Sequence, residues 1–130
     1  MTAPVRDRED ANGRVPVSVI IPAFNRAELV RRAVDSVLAQ RTTPDEIIVV
    51  DECSTDATPE VAGSLGARVI RHEQNRGAAA ARNTGLAEAR NDWVALLDSD
   101  DEWLPNLLEV LWPMRDGRWT HSRRSARAST

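Results

Sequence analysis

VSVIIPAFNRAELVRRAVDSVLAQ, residues 17–40, reads as a strand, a turn and a helix in immediate succession, and this reading decides the fold class. Val17 to Ile21 is a nearly all β-branched run, as expected of a strand covered on both faces, and Pro22 closes it. Leu29, Val30, Ala33, Val34, Val37 and Leu38 then recur as pairs every four residues, which lays one continuous apolar stripe along a helix. Asn25 stands where a helix cap belongs, with Glu28 three residues later.

The same alternation continues outward. Ile47 to Val50 is a second strand that runs into Asp51, and beyond a loop Thr58 is placed to cap a short helix with Pro59 at its first position. Gly66 is its expected stop, and Ala67 to Arg71 a short third strand. An Ala-rich helix from Gly77 to about Ala89 has small side chains suited to close packing on a sheet, with Asn83 and Gly85 at that contact. Trp93 to Leu97 is the fourth strand, followed at once by Asp98, Ser99, Asp100 and Asp101. A last amphipathic stretch carries Leu107, Leu108, Leu111 and Trp112 before Pro113. Strands alternating with helices define an α/β fold, a Rossmann-like open parallel sheet with helices on both faces.

Composition narrows the chemistry. All 17 residues counted as Lys or Arg are Arg, which excludes a P-loop, a pyridoxal Schiff base and a kinase-type Lys. One cysteine, Cys53, and two histidines, His72 and His121, exclude an internal disulfide and a zinc-finger cluster, and no role is assigned to either histidine. A reducing, cytoplasmic setting is expected, since no apolar run approaches the roughly 18 residues of a membrane span and Met1 to Arg14 lacks an apolar signal core. Of the net charge of −3, Met114 to Thr130 contributes +4 and the preceding 113 residues −7. We expect residues 1–14 and the basic 114–130 to be disordered tails around a domain at 15–113. The acidic body argues against a nucleic-acid partner.

Parallel strands all end at one edge, where open α/β sheets bind ligands. Phe24 and Asn25, Asp51, and the Asp98 to Asp101 run therefore converge. Clustered carboxylates repel unless a cation or donors compensate, and hard oxygen ligands suit Mg²⁺ or Mn²⁺. Such ions complete their shells with water and substrate phosphates, so the edge points to a nucleoside diphosphate site. The turn PAFNR lacks the G-x-G-x-x-G of a dinucleotide-binding domain.

Four stretches, VSVIIPAFNRAELVRRAVDSVLAQ (17–40), IIVVDECSTDAT (47–58), NRGAAAARNTGLAEA (75–89) and WVALLDSDDEWLP (93–105), resemble the family 2 glycosyltransferases of the GT-A fold in order and spacing. The resemblance implies a nucleotide-sugar donor of UDP or dTDP type, a divalent metal, and transfer to an acceptor hydroxyl with inversion. It places Pro22, Phe24 and Asn25 beside the base, Asp51 as acceptor for the base imide N–H, Asp98 at the ribose and Asp100 on the metal. Asp101 extends the same acidic run. Asp56 is expected to hydrogen-bond within its loop, and Arg76 and Arg82 either to meet the diphosphate, to stand solvated, or to pair with the acid cluster.

Two departures stand out. Glu52 and Cys53 occupy positions where the family often has Asp and Gly, so this loop loses glycine's access to positive φ. The similarity also ends near Pro113, short of the acceptor-binding half and its catalytic base, so the chain is expected to be a donor-binding half, with a catalytically silent binding module as the alternative. Three readings of the basic tail stay open: a solvated end, a contact for an anionic membrane or partner, and a non-native terminus from truncation or frameshift. Trp93, Trp103 and Trp112 read as core or interface aromatics and Trp119 as exposed. An acceptor-side face left uncovered at Trp103, Leu107, Leu108, Leu111 and Trp112 would favour homo-oligomers.

Overall fold

A computed structural model describes residues 13–115 and 125–127. The first strand, β1 (Arg14–Ala23), sends alternate side chains to opposite faces, as its pleat requires. Val17, Val19 and Ile21 enter one apolar cluster, and Ile20 enters the other. Around β1 the chain adds α1 (Ala27–Leu38), β2 (Thr43–Asp51), α2 (Thr58–Ser64), β3 (Arg68–Arg71), α3 (Ala78–Glu88), β4 (Trp93–Leu96), α4 (Leu107–Leu111), a 3₁₀ turn (Trp112–Met114) and β5 (Ser125–Arg127). The sheet order is β3-β2-β1-β4-β5 and all pairings are parallel. This is the open α/β sheet anticipated above.

The larger cluster packs Val30, Val34 and Val37 of α1, Ala62 of α2 and Leu108 of α4 on one face. On the other face α3 contributes Ala81 against Ile20, Ile48, Val50 and Val94. The approach of α3 is close because of Gly85: a Cβ there would lie 2.4 Å from Cγ2 of Ile20. The absence of a side chain thus sets the distance between helix and sheet.

β1 and β2 begin earlier than the apolar runs suggest. Apart from Val15, the added residues are polar or proline, yet Glu46 is buried and its Oε1 accepts hydrogen bonds from the Ser18 hydroxyl (2.8 Å) and the Arg90 amide (3.0 Å). Arg68 and Arg90 stand 3.5 and 3.4 Å from its Oε2. The strand is polar there because a charge network pairs its ends.

Both expected helix caps are replaced. The N-cap of α1 is Arg26, and Asn25 adopts φ 48° with its side chain turned toward the β2–α2 loop. The N-cap of α2 is Ala57, and the amide of Thr58 donates to Asp56 Oδ1 at 2.9 Å. Cys53 takes the left-handed conformation, φ 63°, that a glycine would adopt without strain.

The segment after β4 folds back over α1. Gln40, 4% exposed, donates to the Leu104 carbonyl (2.6 Å) and accepts from the Leu108 amide (3.1 Å). This strap buries Trp103, Leu108 and Trp112, correcting the expectation of a continuous uncovered face; Leu104, Val110 and Met114 are the exposed large apolar residues there. Trp93 and Trp112 meet edge to face at 6.0 Å, and the Arg115 guanidinium lies 4.1 Å from the Trp112 ring centroid. Within the expected tail, Ser125–Arg127 pairs with β4. Residues 1–12, 116–124 and 128–130, including Trp119 and His121, lie outside the described residues. Among the described residues, no helix is long and apolar enough to cross a membrane.

Candidate functional site

The carboxyl ends of β1, β2 and β4 and the start of α3 surround a cavity of about 460 Å³. β1 supplies Pro22 and Ala23, with Phe24 just beyond; the ends of β2 and β4 supply Glu52 and Asp98 to Asp100. Asn75, Gly77, Ala78 and Arg82 form the wall on the α3 side. Gly77 has φ 92°, which lets the chain turn sharply into α3 and brings the first turn of that helix to the cavity. The exposed amides of a helix start favour an anion.

Asp98, Asp100 and Asp101 each offer a carboxylate oxygen within 4.8 Å of the others, and the first two line the cavity. Asp98 and Asp101 are half-buried and Asp100 is exposed. The turn that gathers them is closed by the Asp101 amide donating to the Asp98 carbonyl at 3.0 Å. Nη2 of Arg82 lies 3.0 Å from Asp98 Oδ1, so the expected encounter of Arg82 with the acids is present. Three hard oxygen donors at this spacing fit a small divalent cation.

Of the anticipated site residues, Pro22, Phe24, Asp98 and Asp100 line the cavity, whereas Asn25 and Asp51 do not. Asp51 is fully buried. Its Oδ1 accepts from the Ser54 hydroxyl, its Oδ2 accepts from the Ser54 amide at 3.1 Å, and Arg71 Nε stands 3.7 Å from Oδ2. The Ser54 hydroxyl in turn accepts from the Asn25 amide at 2.8 Å. Asn25 Oδ1 accepts from the amides of Thr55 (2.8 Å) and Asp56 (3.3 Å), lacing the loop after β1 to the loop after β2. The Thr58 hydroxyl donates to Asp56 and accepts from the Arg26 amide at 2.9 Å. Hydrogen bonds from the Thr58 hydroxyl and then the Thr58 amide hold the Asp56 carboxyl below its ordinary value. Asp56 is thus the loop hydrogen-bonder anticipated from its position.

Two residues at this edge drew no site assignment from the sequence. Glu52 lines the cavity, and behind it lies His72, 7% exposed, with Nδ1 2.6 Å from Glu52 Oε1. The signal was available: His72 directly follows β3, so the rule that brings strand ends to one edge applies to it as it does to Asp98.

The sequence profile described as Glycosyl transferase family 2 matches residues 18–117. The chain belongs to this family. It is 42% identical over 99 residues to the succinoglycan biosynthesis protein ExoO of Rhizobium meliloti (strain 1021), an alignment covering 73% of this chain and 28% of ExoO. Two solved family-like structures superpose well. S. aureus TarS 1-349 in complex with UDP gives a TM-score of 0.70 at 30% identity, covering 78% of this chain and 32% of that one. Glucosyl-3-phosphoglycerate synthase from Mycobacterium tuberculosis, in complex with Mn²⁺, UDP and glucosyl-3-phosphoglycerate, gives 0.63 at 32% identity, covering 79% and 40%. This family 2 chain therefore spans well under half the length of these relatives.

Proposed function

We propose that the cavity binds a nucleoside diphosphate sugar of UDP or dTDP type together with Mg²⁺ or Mn²⁺, for transfer of the sugar to an acceptor hydroxyl with inversion. The observation that carries this reading is the combination of side chains on one cavity wall: Phe24 and Glu52, an aromatic surface and a hydrogen-bond acceptor, line it together with Asp98 and Asp100. The start of α3 and Arg82 line it as well and offer the donors and positive charge that a diphosphate needs.

Asp100 and Asp101 would hold the cation, with Asp98 shared between it and the ribose. When bound, the ion supplies Lewis-acid stabilisation of the charge on the departing nucleoside diphosphate. Arg82 orients Asp98 and adds positive charge beside the phosphates. The base contact, expected at Asp51, is better assigned to Glu52, because Glu52 lines the cavity and Asp51 does not. Asp51 and Asn25 then serve the nucleotide indirectly, by holding the two loops in place. The bound complexes of TarS with UDP and of the synthase with UDP and Mn²⁺ support this choice of ligands.

A thermal-shift panel tests the reading. UDP with Mn²⁺ is expected to raise the melting temperature by several degrees, and Asp100→Ala to abolish the rise. No shift with any nucleoside diphosphate would contradict it.

A further inference from the structure

We propose that His72 is a positioning residue for nucleobase selection: it orients the Glu52 carboxylate so that the cavity accepts a base presenting an N–H and disfavours one presenting a bare ring nitrogen. The inference rests on the donor-site reading above and adds to it a residue that lies behind the cavity wall.

The geometry is a relay across three elements. Glu52 is 3% exposed, and its amide donates to the Ala23 carbonyl at 2.8 Å, which fixes its backbone to the end of β1. Its side chain is held at both oxygens: Oε1 by His72 Nδ1 at 2.6 Å and Oε2 by the Arg76 amide at 2.5 Å. His72 is anchored in turn, with its amide donating to the Asp51 carbonyl at 2.8 Å and its Nε2 2.8 Å from the Thr84 hydroxyl on α3. A glutamate has one more rotatable bond than an aspartate, so without these ties its carboxylate would sample several orientations.

Chemistry sets the direction of each bond. An ionised carboxylate only accepts, so Nδ1 of His72 carries the proton and the Thr84 hydroxyl meets the opposite nitrogen. One donor on each carboxylate oxygen leaves further lone pairs on both. Glu52, one of the residues lining the cavity, is therefore a fixed acceptor in its wall. Uracil and thymine bring an imide N–H to such an acceptor; cytosine brings an unprotonated ring nitrogen and meets repulsion. A site built around one hydrogen bond discriminates strongly against the ligand that cannot make it.

The test is calorimetric titration of the full chain with UDP and with CDP, each with Mn²⁺, for the native protein, His72→Leu and His72→Asn, with melting temperatures recorded in parallel. The Asn amide nitrogen stands where Nδ1 stands, so it restores the donor without the ring. The native protein is expected to favour UDP, His72→Leu to cut the UDP/CDP affinity ratio about tenfold, and His72→Asn to recover most of it even though both variants melt earlier. An unchanged ratio in a folded His72→Leu protein would overturn the proposal, since a purely structural role lowers stability without altering selectivity. Should His72→Leu not fold, Thr84→Val releases the far side of the ring; a reduced ratio there supports the proposal, and a native ratio overturns it. Failure of the native protein to bind either nucleotide would instead sink the donor-site reading, and equal binding of UDP and CDP would sink the assignment of Glu52 and His72 while leaving that reading standing.

Discussion

Nη2 of Arg82 lies 3.0 Å from Oδ1 of Asp98, joining the second turn of α3 to the acidic run after β4. Both side chains are about a quarter exposed. The guanidinium therefore competes with a divalent cation for Asp98 while adding positive charge next to the proposed phosphates. Arg82→Gln is expected to act in opposite directions on the two ligands. Mn²⁺ alone should bind a few-fold more tightly, and UDP with saturating Mn²⁺ several-fold more weakly. Calorimetry with each ligand checks the pair of signs; changes of the same sign would remove Arg82 from the phosphate region.

Gly85 leaves no room for a side chain, because a Cβ would stand 2.4 Å from Ile20 Cγ2 and 3.0 Å from its Cγ1. Gly85→Ala is expected to destabilise the chain by about 1–3 kcal/mol through overpacking, despite alanine's better helix propensity. Urea denaturation measures this. Combining it with Ile20→Val, which removes part of the obstructing side chain, should cost less than the sum of the two single changes.

Ser54 separates a structural Asp51 from a ligand-binding one. Ser54→Ala removes the hydroxyl that donates to the buried Asp51 Oδ1 and accepts from the Asn25 amide. The expected loss of stability is about 1–3 kcal/mol, with UDP affinity changed by less than the Asp100→Ala variant changes it. The neighbouring Cys53, at φ 63°, makes the converse case: Cys53→Gly removes left-handed strain and is expected to hold or raise stability by up to about 1 kcal/mol, net of glycine's entropy cost.

Asp56 gives a pH signature. Hydrogen bonds from Thr58, its hydroxyl first, lower the carboxyl pKa below the ordinary 3.8. A folded-state pKa depressed below the unfolded one contributes stability that is complete above 3.8 and disappears as pH falls through the folded value. The melting-temperature difference between the native chain and Asp56→Asn should thus be largest near neutrality and shrink below pH 3.8. A difference that grows in acid would contradict the assigned bonds.

The legible parts of the sequence are those governed by local rules. Val17 to Ile21, Ile47 to Val50 and Trp93 to Leu97 announce strands by their apolar side chains, and parallel pairing then places Phe24 and Asp98 at one edge. What sequence reading missed depends on partners distant in the chain. Glu46 looks like a loop residue until Ser18 and the Arg90 amide are seen to satisfy it. Asn25 has a cap's composition, but tertiary bonds to Thr55 and Asp56 draw its side chain away from α1. Gln40 buries the strap through Leu104 and Leu108, more than sixty residues along, contacts that apolar periodicity does not report. His72 was overlooked because β3 is short and half-buried, and its partner Glu52 was read as a variant of a family residue and not as a lining side chain.

In the proposed function the same cavity takes the nucleoside diphosphate and its divalent cation. Calorimetric titration of the native chain with UDP, in the presence and absence of Mn²⁺ and repeated on Asp100→Ala, tests it most directly. Saturable one-to-one binding that tightens at least tenfold with Mn²⁺, and loses that enhancement in Asp100→Ala, is the predicted result. Binding indifferent to Mn²⁺, or an enhancement that survives Asp100→Ala, would contradict it.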